Sequence, residues 1–134
     1  MRSLLIAFAL VTGFAGCRML QGEGFNTYFW TSSAGKEVYL FIDGENKGVL
    51  PYLPGAPDCD NEESKKNALT IALPAGSYDI AVKDAEQKTL YGERLKFKRR
   101  RGSLSIGSST SYKEGGSRRS FKDACLIEEL YFNQ

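Results

Sequence analysis

The sequence predicts an all-β fold, a small antiparallel β-sandwich, and three observations carry that expectation. Short runs rich in β-branched and aromatic residues follow one another with period two. Turn-forming residues fall in the gaps between them, and no stretch before the C-terminus repeats apolar residues at convincing helical spacing. A chain of 134 residues, 42% hydrophobic, has room for one core, so a second domain is excluded on size.

The strands are read in order as Phe25 to Thr31, Glu37 to Ile42, Ala68 to Leu73, Ser77 to Lys83 and Thr89 to Lys98. Between them stand Asp43-Gly44, Lys47-Gly48, Pro51, Pro74-Ala75-Gly76 and Lys83-Asp84, residues that favour tight reversal or cannot continue a ladder. Ser103 to Tyr112 alternates small polar residues with Leu104 and Ile106 and reads as an edge strand fading into a loop. Phe121 to Phe132 fits a strand with Phe121, Cys125, Ile127 and Tyr131 on one face. The alternative is a short C-terminal helix seeded by Leu126, Ile127 and Leu130.

Composition narrows function by exclusion. Eighteen basic residues against sixteen acidic ones leave no bulk charge for nucleic acid. The absence of histidine removes the commonest general base, the usual metal ligand and the ordinary near-neutral pH switch. No Ser-x-x-Lys or Gly-x-Ser-x-Gly motif offers a nucleophile, and nothing selects a glycosidase-like pair among the carboxylates. The expectation is a protein that is not an enzyme and needs no metal or cofactor.

The first residues read as a targeting segment. Arg2 supplies a positive start, and Leu4 to Val11 is an apolar run of signal-peptide length, too short for a membrane-spanning helix. Phe14-Ala15-Gly16-Cys17 follows and resembles a bacterial lipoprotein lipobox, with Phe14 where the motif usually has Leu. The resemblance implies that residues 1–16 are a signal peptide, that the Cys17 thiol is lipidated, and that Cys17 becomes the mature N-terminus. Residues 17–24 then form a tether between the lipid bilayer and a single domain over 25–134. Arg18 stands where Asp would signal inner-membrane retention, which by analogy implies an outer-membrane lipoprotein facing the periplasm.

A second resemblance lies in the body. Val38 to Gly44 ends a strand in Asp-Gly, Gly48 and Pro51 follow, and Pro74-Ala-Gly-Ser-Tyr78 opens a later strand. This pattern is similar to the PEGA domain, a small β-sandwich module of bacterial surface and envelope proteins. It covers Val38 to about Phe97 and implies fold more than function.

The chain departs from that family by a long polar insert, Tyr52 to Asn67. A loop of that length is either functional or tied down. With Cys17 lipidated, Cys59 and Cys125 remain as an even pair in an oxidising compartment, which predicts a Cys59–Cys125 disulfide. Asp58, Asp60, Asn61, Glu62 and Glu63 form a dense oxygen cluster without EF-hand spacing, read as a solvated acidic loop followed by Lys65 and Lys66.

Two further features are candidates for contact. Tyr28 and Trp30 share parity on the first strand and are the ligand-facing aromatics of one sheet face, suited to a sugar or peptide. Lys96, Lys98, Arg99, Arg100 and Arg101, with Arg118 and Arg119 later, are the strongest charge feature and suit anionic headgroups or acidic glycans. The resulting expectation is a lipid-anchored structural or binding module with an envelope protein or glycan as partner. The rivals are an envelope hydrolase drawing on carboxylates of residues 52–67 and an accessory subunit that adds a strand through the Ser103 to Tyr112 edge.

Overall fold

The computed structural model describes residues 25–100, 103–110 and 115–134. The expected Cys17 lipidation, the signal peptide, the tether and Arg101 lie outside the described residues. Among the described residues nine strands form two packed sheets, so the expected β-sandwich is the fold. They are β1 (Phe25–Thr31), β2 (Val38–Ile42), β3 (Glu45–Leu50), β4 (Leu69–Leu73), β5 (Gly76–Lys83), β6 (Thr89–Arg100), β7 (Ser103–Thr110), β8 (Gly115–Lys122) and β9 (Cys125–Phe132). One short helix, α1 (Glu62–Lys65), interrupts the insert.

Sheet order is β4-β1-β9-β8 in the first sheet and β3-β2-β5-β6-β7 in the second. Every strand pair is antiparallel except β1 with β9, which run parallel. The C-terminal segment is therefore a strand and not a helix, with β8 on one side of it and the first strand on the other.

Alternation decides what faces inward. Phe29 on β1, Leu40 and Ile42 on β2, Ile80 and Val82 on β5, Tyr91 and Leu95 on β6, and Leu126 and Leu130 on β9 meet between the sheets. Fully burying each contributes about 1.5–3 kcal/mol. The β2–β3 reversal is made by Asp43 (φ 51°) and Gly44 (φ 80°), the positive pair that a two-residue hairpin turn requires. Asp43 also ties that turn to β5, donating its backbone N–H to the Asp79 carbonyl (2.8 Å) and accepting the Asp79 N–H on Oδ1 (2.8 Å). Tyr78 folds back to donate its hydroxyl to the Pro74 carbonyl (2.5 Å), which fixes the β4–β5 corner.

Three elements differ from the sequence expectation. β3 carries Glu45, Asn46, Lys47 and Gly48, residues of low strand propensity, and exists because it completes the hairpin from β2. β8 is rich in glycine, serine and arginine and is held by β9 along its whole length. Phe121 and Lys122 end β8 instead of beginning the last strand, because a turn at Asp123 (φ 47°) and Ala124 (φ 62°) separates them from Cys125.

Candidate functional site

The insert covers the outer face of the first sheet. After β3, Thr31 donates to the Pro51 carbonyl (2.9 Å) and Leu53 donates to the Thr31 carbonyl (3.1 Å), which starts the insert alongside β1. A Cys59–Cys125 disulfide then fastens its middle to the first residue of β9, with Cα atoms 5.9 Å apart. The expected pairing of these two cysteines is present. Lys122 Nζ adds a bond to Asp60 Oδ2 (2.6 Å) at the same end of β8.

Beneath this cover lie Tyr28, Trp30, Cys125 and Ile127, with Leu53, Cys59 and Ala68 packed on them from the insert side. Tyr28 and Trp30 do share a face, but they are 9% and 4% exposed and do not present a free aromatic surface. The physical reason is the insert itself, whose apolar residues need a partner and find it on this face. Lys65 completes the cover, its Nζ 5.4 Å from the Tyr28 ring centroid and 2.7 Å from Glu62 Oε1.

The acids of the insert do not converge. Asn61 caps α1 by accepting from the Glu63 and Ser64 N–H groups, Asp58 accepts from the Asp60 N–H (2.9 Å), and Glu63 pairs with Lys66 (3.0 Å). Among the described residues no group of three or more acids or cysteines could hold a metal ion.

One transverse row on this outer face is polar. Trp30 on β1 stands opposite Glu129 on β9, which stands opposite Arg118 on β8. Glu129 is nearly buried, and its Oε2 accepts from Ser32 Oγ (2.6 Å) and lies 3.5 Å from Arg118 Nη1. The Arg118 guanidinium sits 4.8 Å from the Tyr131 ring centroid. Between this row and the insert is a cavity of about 140 Å³ lined by Trp30, Ala56, Arg118, Ser120, Ile127 and Glu129. The Trp30 indole N–H is buried with no hydrogen-bond partner.

A second polar group lies between the sheets. Glu93 on β6 and Glu128 on β9 both have fully buried side chains, and Arg119 from β8 reaches between them. Arg119 makes a two-pronged contact with Glu128, Nε to Oε2 and Nη2 to Oε1, each 3.0 Å. Its Nη2 lies 3.8 Å from Glu93 Oε2, and its Nη1 and Nη2 donate to Ser108 and Ser117 Oγ (3.1 Å each). Tyr91 donates its hydroxyl to Glu93 Oε2 (2.8 Å).

Burial pushes the Glu128 carboxyl up to about 8; Arg119 opposes the rise, while the nearby Glu93 adds to it. Burial and the neighbouring acid thus both favour the protonated form of Glu128. Sequence reading offered no means of selecting this pair, since Glu93 and Glu128 are far apart in the chain and meet only across the sandwich.

The basic run divides. Lys96 and Lys98 are exposed on the outer face of β6, and the strand continues through Arg99 and Arg100. Of the two later arginines, Arg119 turns inward to the buried acids and Arg118 outward to Glu129. Among the described residues no helix is long and apolar enough to cross a membrane. Comparison with protein-family models, with curated proteins and with solved structures finds no match for this chain.

Proposed function

We propose that the protein is a lipid-anchored lipoprotein of the bacterial cell envelope, held at the outer membrane through an acylated Cys17 and facing the periplasm. There it acts as a PEGA-like, non-catalytic structural or binding module for an envelope glycan or protein. The observation that carries this reading is the Cys59–Cys125 disulfide, because such bonds form and persist in exported chains and are rare where thiols are kept reduced.

Topology supports the anchored orientation. Phe25 pairs with Leu73, and Pro74-Ala75 leads from Leu73 to Gly76, which pairs with Phe97. The end of the sandwich where β1 begins is therefore also the end toward which β6 carries Lys98, Arg99 and Arg100. Eight residues, 17–24, would separate an anchored Cys17 from β1, a reach of at most about 28 Å. Basic residues that the tether brings within a Debye length of anionic headgroups, about 8–10 Å, each contribute about 1 kcal/mol. A second reading, docking of an envelope protein by strand addition, is favoured by β7, which pairs only with β6 among the described strands.

Intact mass and detergent partitioning of the protein extracted from membranes test the proposal. The expected result is a chain that begins at an acylated Cys17, with the Cys17→Ser variant moving to the aqueous phase. An unmodified Cys17 in a water-soluble wild-type chain would overturn it.

A further inference from the structure

The cavity under the insert has a donor, an acceptor and an apolar wall within one small volume. Its donor is the Trp30 indole N–H, which folding has taken out of water without giving it a partner. Leaving a buried donor unpaired costs about 1–3 kcal/mol, so an acceptor supplied by a ligand would recover free energy that the empty chain forgoes. Its acceptor is Glu129, whose two bonds both fall on Oε2, leaving Oε1 to receive an N–H. The two groups are direct partners in the β1–β9 register and lie on one face, about 4.8 Å apart along the hydrogen-bonding direction of a sheet. Ile127 and Ala56 supply the apolar wall. The larger cleft, about 260 Å³ beside Val49 and Tyr52, contains none of the buried unpaired polar atoms and offers no comparable selectivity.

We infer that this cavity is a binding subsite for an acetamido group, with an N-acetylated hexosamine of an envelope glycan as its source. The group's carbonyl accepts from Trp30, its N–H donates to Glu129, and its methyl packs on Ile127 and Ala56. A cavity of about 140 Å³ suits a group of this size, since water occupies about 30 Å³ per molecule and the acetamido group has four heavy atoms. At the rim, exposed Arg118 and Ser120 match the hydroxyls of a sugar ring better than they match an aliphatic chain. Because the Trp30 N–H is closed off from solvent, binding requires the wall of the cavity to open at that group, with the insert still tethered by Cys59.

The inference rests on the binding-module reading, and Trp30 makes it directly observable, being the chain's only tryptophan. Full-length protein in detergent is titrated with N,N′-diacetylchitobiose while tryptophan emission is followed. The expected result is a saturable shift, absent with the deacetylated disaccharide. Glu129→Gln, which removes the charge from the acceptor, should weaken binding about tenfold or more. Ala56→Leu fills the cavity from an exposed position that folding does not depend on, and should abolish the shift.

A lack of saturation, an equal response to the deacetylated sugar, or unchanged affinity in Ala56→Leu would each overturn the inference. Saturation by Nε-acetyl-lysine peptide without saturation by the sugar would overturn the glycan as occupant. None of these outcomes depends on whether Cys17 is acylated, which mass analysis reports separately.

Discussion

Glu128 and Glu129 are neighbours on β9, and each faces an arginine on β8, yet the two pairs have become different things. Glu128 points between the sheets, has no exposed side-chain surface, and meets Arg119 through two bonds of 3.0 Å. Glu129 points to the outer face, holds Arg118 at 3.5 Å, and shares its row with an unpaired indole N–H and a cavity. The inner pair is surrounded by Tyr91, Ser108, Ser117 and Glu93, and one buried acceptor there, Glu93 Oε1, is left without a partner. Both sites leave a buried polar atom over, an acceptor inside and a donor outside, and the difference is that Trp30 also lines a cavity bordered by the insert.

Breaking the inner pair gives the largest effect. Arg119→Met leaves two buried carboxyls without their cation and should cost about 3–5 kcal/mol, while Arg118→Met, which removes a largely exposed partner, should cost under about 1 kcal/mol. Urea unfolding of the two variants measures the contrast directly. Equal losses would remove the distinction between the faces.

Detaching the insert comes next. Cys59→Ser with Cys125→Ser opens a loop of 66 residues, a loss of about 4 kcal/mol in the chain-entropy account. It should also expose Trp30 and shift its emission to the red, since the outer face is covered only while the insert is fastened.

The smallest effect, per unit of pH, sharpens the inner pair. The Glu128 carboxyl rises to about 8 in the fold from about 4.5 when unfolded, so between those values the folded state holds the extra proton. Stability should therefore be greatest below pH 4.5 as far as this group is concerned, decline by at most about 1.4 kcal/mol per unit as pH rises, and level off above pH 8. The charged groups acting on this carboxyl are Arg119 and Glu93. Glu128→Gln should flatten the decline in a series of denaturation curves.

Much of the fold was legible because period-two alternation is a local property. The strands expected at 25–31, 37–42, 68–73, 77–83 and 89–98 are present to within two residues at each end, and Asp43-Gly44 announced its hairpin. The β8–β9 turn was not legible, because Asp123 and Ala124 reverse the chain without a glycine, and Phe121 to Phe132 therefore read as one run. The parity of Tyr28 and Trp30 was also correct, while their exposure was not. Alternation says which residues share a face, but not what covers it.

Neighbours along the chain and a count of thiols were enough to read the sandwich, its principal turns, and the two cysteines that join the insert to the last strand. They could not show that the Glu128 carboxyl is buried against Arg119 while Glu129 stands beside an unpaired Trp30 N–H. That choice depends on which sheet lies opposite and on where the insert folds back. Adjacent residues in a strand point to opposite faces, and the chemistry of each is set by groups distant in sequence that the packing of two sheets brings within a few ångströms.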